Sequence, residues 1–140
     1  MAKPPGSRAF SGPCPCGLGA PYADCCGPLH RGQAAAATAE QLMRSRYSAF
    51  VVQDRQYLLR TWSSGHRPRG LSFDQAMRWT GLQILGRTGG SAFHAAGTVE
   101  FVARFVQDGT PGEHHENSAF VREDGDWVYQ QPVAQAPSSG

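Results

Sequence analysis

Residues 99–105, Val-Glu-Phe-Val-Ala-Arg-Phe, alternate between a strictly apolar set and a mixed set of side chains. Successive side chains of a β-strand point to opposite faces, so this pattern predicts a strand with one face on a hydrophobic core. The apolar face carries Val99, Phe101, Ala103 and Phe105. Glu100 and Arg104 share the opposite face, which we expect to be solvated. The whole stretch from Ala92 to Gln107 is predicted to be extended.

Further strands are predicted on both sides of this one. Residues 115–122 and 127–130 are strand-like downstream, and residues 82–85 are strand-like upstream. The connecting loops are rich in glycine, aspartate or proline and span residues 86–90, 108–112 and 123–126. Short strands joined in this way favour a sheet of three or four antiparallel strands.

The first half of the chain predicts helices. Thr38 and Gln41 have the spacing of a capping box, in which two side chains satisfy backbone amides at the start of a helix. Apolar side chains recur at helical spacing from there to Leu58, and residues 57–62 extend the pattern. Arginines between them, among them Arg44 and Arg46, are interpreted as a solvated helix face. Helices followed by antiparallel strands predict an α+β domain with helices packed on a curved sheet.

A second capping box is read at Ser72 and Gln75. It predicts a further short helix that ends near Thr80. The residues before it, 63–70, are dense in glycine and proline and predict a loop.

The four cysteines lie within thirteen residues, at positions 14, 16, 25 and 26. Disulfides fit poorly, because one pair is separated by a single residue and a bridge between adjacent cysteines is strained. Two short cysteine pairs on either side of a loop can instead converge on one zinc ion. Gly17 and Gly19 let the chain turn between the pairs. We therefore predict one structural zinc site.

The fourth ligand of this site is left open by the sequence. Side chains of adjacent residues diverge, so His30 is an alternative to one member of the Cys25–Cys26 pair, with Cys26 preferred. Free thiols without metal are the competing interpretation. A zinc ion with four protein ligands has no position for water or substrate, so such a site supports folding or binding rather than hydrolysis.

Composition and charge limit the functional classes. The chain of 140 residues is 40% hydrophobic and 17% charged, and no long apolar stretch predicts membrane insertion. We expect a folded cytoplasmic protein. Residues 1–87 carry eleven basic and four acidic side chains, whereas residues 88–140 carry two and seven. The basic residues are scattered and lack interleaved aromatic residues, so nucleic-acid binding is not favoured.

The cysteine segment resembles the SEC-C motif, the zinc-binding element at the C-terminus of the translocase motor SecA. The resemblance rests on the four cysteines together with Gly17, Gly19 and Tyr22, while Leu18 stands where a small polar residue is usual. By analogy with SecA, it implies contact with a protein partner.

Over nearly its full length the chain resembles the YchJ family of bacterial proteins. The resemblance rests on residues 14–17, 22–30, 38–50, 99–105 and 115–129, with Tyr57, Leu58, Thr61 and Trp62. It implies a cone similar to nuclear transport factor 2 (NTF2), a bent sheet around helices, with a SEC-C-like knuckle attached. The predicted organisation is an N-terminal arm and SEC-C-like motif over residues 1–32, an NTF2-like domain over 33–132, and a flexible tail over 133–140.

Two functions from different classes are compatible with these features. The favoured one is a binding or adaptor module that contacts a protein partner through the zinc knuckle. The alternative is a small-molecule-binding protein or enzyme that uses a pocket of the cone. Candidate pocket residues are Trp62, His94, Glu100, His115, Glu116 and Arg122. We assign no catalytic residue.

Overall fold

The computed structural model describes residues 12–133 and places four antiparallel strands in one sheet. The strands are β1 (Met77–Gly89), β2 (Ala96–Gln107), β3 (Thr110–Glu123) and β4 (Asp126–Pro132). Each strand pairs with the next along the chain, so the sheet order is β1-β2-β3-β4. The predicted α+β class with an antiparallel sheet is confirmed. The ends of the chain, residues 1–11 and 134–140, lie outside the described residues, and with them most of the predicted N-terminal arm and tail.

Strand β2 has the predicted alternation. Val99, Phe101 and Ala103 are buried, and the side chains of Glu100 and Arg104 point to the other face of the sheet. The hairpins on either side of β3 turn on the dipeptides Asp108-Gly109 and Asp124-Gly125, where all four residues have positive φ. This geometry matches the right-handed twist of the paired strands. The turns are therefore shorter, and β3 longer, than the sequence predicted.

Three helices precede the sheet: α1 (Cys26–His30), α2 (Ala39–Val52) and α3 (Arg55–Arg60). The predicted cap of α2 is confirmed, since the Thr38 hydroxyl accepts from the Gln41 amide at 3.0 Å and the Gln41 side chain accepts from the Ala37 amide at 2.7 Å. Helix α2 packs on one face of the sheet. The core between them contains Leu42, Met43, Tyr47, Val99, Phe101, Phe120 and Trp127.

The predicted helix after Ser72 is wrong. Residues 71–76 form loop and turn, and β1 begins at Met77. Gln75 forms no capping box. Its side-chain amide instead exchanges two hydrogen bonds with the side-chain amide of Gln53. Pairing of β1 with β2, which places Trp79 opposite Phe105, outweighs the local helical signal.

Strand β1 also continues into the predicted turn at residues 86–90, as far as Gly89. It shifts register at Gly81 and again at Gly86, and bulges of this kind bend a sheet. Strand β2 begins only at Ala96, since residues 90–95 form the connecting loop. At the other end, Pro132 still belongs to β4.

Candidate metal centre and cone cavity

The cysteine segment folds into a small knuckle held by backbone hydrogen bonds. Its two arms meet at a bridge between Pro13 and Pro21, and the Cys14 amide donates to the Ala20 carbonyl at 2.8 Å. Gly17 and Gly19 both have φ of +89°, a conformation that favours glycine, so the loop can turn back on itself. A 3₁₀ turn (Tyr22–Asp24) then leads into α1.

The knuckle brings four thiols together. The Sγ atoms of Cys14, Cys16, Cys25 and Cys26 all lie within 4.8 Å of one another. Thiolates at about 2.3 Å from a tetrahedral zinc ion are about 3.8 Å apart. The Sγ atoms of Cys16 and Cys25 are 3.5 Å apart, so small shifts of the sulfurs give the required geometry. Three of the thiols are buried and Cys25 is half-buried. The donor set therefore fits a closed site for one thiophilic metal ion.

The adjacent cysteines both reach the cluster because the backbone changes direction between them. Cys25 ends the 3₁₀ turn with φ −120° and ψ −98°, and Cys26 begins α1. These angles belong to neither a regular helix nor a strand, and they turn the two side chains to the same side. The divergence expected of consecutive residues is thereby avoided.

Four thiols this close cannot all ionise without a cation. Hydrogen bonds from Cys16 and Cys26 lower the pKa of Cys14 well below its usual range. Hydrogen bonding to Cys14 raises the pKa of Cys26, and burial raises the pKa of Cys25 to about 12. A bound divalent cation reverses this order, because it stabilises each thiolate directly.

His30, the alternative ligand, is placed outside the thiol cluster. Its Nε2 lies 2.8 Å from the Ser45 carbonyl oxygen, which can only accept, so Nε2 carries the proton. Its Nδ1 then accepts from the Tyr22 hydroxyl at 2.6 Å. Burial lowers the pKa of His30, in keeping with a neutral ring. His30 thus joins the knuckle to α2.

Two arginines also connect the N-terminal segment to the helices that follow it. Arg44 of α2 donates to the Cys16 carbonyl at 2.7 Å, and Arg60 of α3 donates to the carbonyls of Leu29 and His30 at 3.0 and 3.1 Å. The knuckle and α1 are therefore fixed against α2 and α3 by arginine side chains that donate hydrogen bonds to backbone carbonyls.

A second feature is a cavity of about 440 Å³ between α2 and the sheet. Its walls are largely aromatic and include Tyr47, Phe50, Trp62, Trp79, Phe101 and Phe105. The side chains of Glu113 and His114 lie at its rim and are more than half exposed.

Arg46 lies at the inner end of this cavity and is only 5% exposed. Its guanidinium carbon is 5.0 Å from the ring centre of Trp62 and 4.9 Å from that of Tyr129. Nη1 donates to the Leu58 carbonyl and the Thr61 hydroxyl, both at 2.8 Å. The prediction that Arg46 lies on a solvated helix face is wrong. Its spacing from Met43 and Phe50, at i−3 and i+4, was the signal that it shares their apolar face.

Glu116 lies near Arg46 in the cavity and is held by three donors. Its Oε2 accepts from the hydroxyls of Ser118 at 2.6 Å and Tyr129 at 2.8 Å. Its Oε1 lies 2.9 Å from Nε2 of His114. The carboxylate therefore has most of its acceptor positions filled by protein.

Of the six candidate pocket residues, Trp62 and Glu116 line the cavity. Glu100 and His115 lie on the outer face of the sheet, where His115 is 2.6 Å from the Glu100 carboxylate, because strand parity points them away from the core. His94 bonds to Ser91 in the exposed loop before β2. Arg122 donates to loop carbonyls and stacks on Trp127.

The fold and the cysteine site together define a class of protein, an NTF2-like cone with an N-terminal SEC-C knuckle. Residues 38–132 match the middle NTF2-like domain of YchJ, and residues 13–28 match the SEC-C motif. The chain belongs to the YchJ family.

Relatives over most of the chain support this assignment. A UPF0225 protein of Streptomyces coelicolor is 56% identical and covers 84% of this chain and 91% of its own length. A UPF0225 protein of Ralstonia nicotianae is 49% identical, with 83% of this chain and 87% of its own covered. The solution structure of a SEC-C motif containing protein from Rhodopseudomonas palustris superimposes with a TM-score of 0.76 at 35% identity, covering 89% of this chain and 99% of that one. None of the helices in residues 12–133 has the length and apolar character of a membrane span.

Proposed function

We propose that the four cysteines hold one structural zinc ion, and that the knuckle folded around it docks a protein partner in the cytoplasm. The observation that carries this proposal is the position of Leu18. It lies on the loop between the two cysteine pairs and is 59% exposed, whereas three of the four thiols below it are buried.

The chemistry of the site supports a structural role for zinc. A tetrahedral set of four sulfur ligands suits zinc or iron, and four protein ligands leave no coordination position for a substrate. Free thiols in the knuckle also suit a reducing compartment.

A groove beside the knuckle supports the docking role. It has a volume of about 490 Å³ and runs from Leu18 to the start of β2, past the carboxylate of Glu40. Arg44 and Arg87 both pair with that carboxylate, so an ion-pair network lines the groove. An apolar side chain of a partner can pack on Leu18 while its backbone meets these polar groups.

The metal is tested by elemental mass spectrometry on native protein. We expect close to one zinc ion per chain, lost when any one of the four cysteines is changed to serine and kept in His30→Asn. Metal-free folded protein, or stoichiometric iron in place of zinc, contradicts the proposal.

The docking role is tested by site-specific photo-crosslinking in cells. A photoreactive residue at position 18 should give a discrete adduct that disappears in the Cys16→Ser variant. Leu85 is a matched control, because it is 47% exposed but lies on β1 away from the groove. Equal adducts at positions 18 and 85, or none at position 18, would contradict a docking role of the knuckle.

A further inference from the structure

The cavity of the cone contains a cation whose hydrogen-bonding capacity is only partly used. Arg46 has five N–H donors, and the two bonds described above both come from Nη1. No hydrogen bond joins Nε or Nη2 to any of residues 12–133. Yet none of the fully buried side-chain nitrogen and oxygen atoms in these residues lacks a partner. The unused donors are therefore not fully enclosed by protein, and Arg46 lines the cavity, so we take them to face its space.

The environment of Arg46 keeps its charge and its orientation. Burial lowers the pKa of Arg46 to about 10, so the guanidinium remains protonated at neutral pH. The rings of Trp62 and Tyr129 lie against the group, and the bonds to Leu58 and Thr61 fix its plane. A guanidinium held in this way is prepared to bind a planar acceptor through two parallel hydrogen bonds.

The carboxylates of the cavity do not use these donors. The carboxylate oxygens of Glu116 already accept hydrogen bonds from Ser118, Tyr129 and His114. Glu113 pairs with Arg104 at 3.1 Å and belongs to the rim. The polar end of the cavity thus offers unfilled donors on Arg46, while its acceptors are largely satisfied.

The rest of the cavity is apolar and of ligand size. A volume of about 440 Å³ falls in the range of pockets that enclose small organic molecules. Aromatic walls, among them Trp79, Phe101 and Phe105, favour a flat hydrophobic body.

From these observations we propose that the cone binds a small monocarboxylic acid with a flat apolar body, whose carboxylate is held by the free donors of Arg46. The ligand enters past His114 and lays its apolar body between α2 and the sheet. Binding here does not depend on the knuckle as a docking element, so the two proposals are tested separately.

The first experiment uses the native full-length protein and three probes of one shape: 2-naphthoate, 2-naphthalenemethanol and 2-naphthylmethylammonium. Affinities are measured by calorimetry, and the site is located from amide and indole shifts in ¹⁵N NMR spectra. We expect naphthoate to bind about tenfold or more tighter than the neutral alcohol, the ratio expected of one charge-assisted hydrogen bond. The largest shifts should fall on the Trp62 indole and the residues near Arg46. Equal affinity for acid and alcohol, tighter binding of the amine, or no binding of naphthoate would overturn the proposal.

Two variants complete the test. Arg46→Gln should reduce the preference for the acid over the alcohol, and the exposed Arg78→Gln on β1 is its matched control. Because Arg46 also holds α3, Arg46→Gln could fail to fold. Ala103→Leu then provides the second arm, since it fills the cavity without touching Arg46's hydrogen bonds. It should abolish binding of both probes. Unchanged naphthoate affinity in folded Ala103→Leu would place the ligand elsewhere and refute the assignment.

Discussion

The close approach of Gly97 to Gly90 yields a sharp prediction about stability. A Cβ added at Gly97 would lie 2.4 Å from the Gly90 nitrogen and 2.5 Å from its Cα, and 2.9 Å from the Thr88 carbonyl oxygen. All three are backbone atoms, so no side chain can rotate away. The position of Gly90 is fixed by the start of α2, because its carbonyl accepts a hydrogen bond from the Ala39 amide at 2.9 Å. The substitution Gly97→Ala must therefore displace the hairpin from the start of α2.

We expect Gly97→Ala to lower the free energy of unfolding by about 3 kcal/mol, which is at the upper end of the cost of overpacking. This loss raises the unfolding equilibrium constant roughly 150-fold. The matched control is Gly81→Ala on β1, where the added Cβ has no neighbour within 4 Å and φ is not positive. There the effect should stay within about 0.5 kcal/mol. Urea unfolding followed by tryptophan fluorescence and circular dichroism measures both. Equal losses in the two variants, or a loss below about 1 kcal/mol for Gly97→Ala, would refute the packing argument.

Four further predictions concern the knuckle and α2. Chelation of the metal should make all four thiols accessible to dithionitrobenzoate without unfolding the cone, whose core is a separate cluster from the cysteines, and a loss of the tryptophan signal would contradict this. Cys25 and Cys26 should react more slowly than Cys14 at neutral pH, because they keep their protons without metal. For the same reason the zinc affinity of the stripped protein should rise with pH. Burial lowers the pKa of His30 in the folded state, so its contribution to stability is complete above its unfolded pKa of about 6.5 and declines as the pH falls below it. In zinc-saturated protein, acidification should therefore lower the free energy of unfolding of the native chain more than that of the His30→Asn variant. Parallel plots of unfolding free energy against pH for the two proteins would contradict the buried neutral ring. Thr38→Ala should cost about 1 kcal/mol and Thr38→Ser much less, measured by the same urea titration.

Sequence patterns predicted those parts of the fold that depend on local chemistry. The cap at Thr38 and the alternation along β2 are set by neighbouring residues, and both are confirmed. The segment after Ser72 has equally good local signals for a helix, but its partner on β2 is nearly 30 residues away in the chain and outweighs them. A pattern within one segment carries no information about such a partner.

The two sites differ in the same way. The cysteines are close in sequence, so their spacing alone predicted a shared metal site. The cavity is assembled from α2, all four strands and Trp62. Arg46, at its inner end, was assigned to the wrong face because a charge within an apolar stripe is usually solvated. Only the fold shows that Trp62 and Tyr129 cover it.

Three consecutive residues of helix α2 contact three different parts of the protein. Arg44 binds the knuckle backbone, the Ser45 carbonyl holds His30, and Arg46 enters the cavity. Each residue of an α-helix is rotated about 100° from the last, so inserting or deleting a single residue here would turn every later side chain away from its neighbour. The length of this helix is consequently as constrained as its composition.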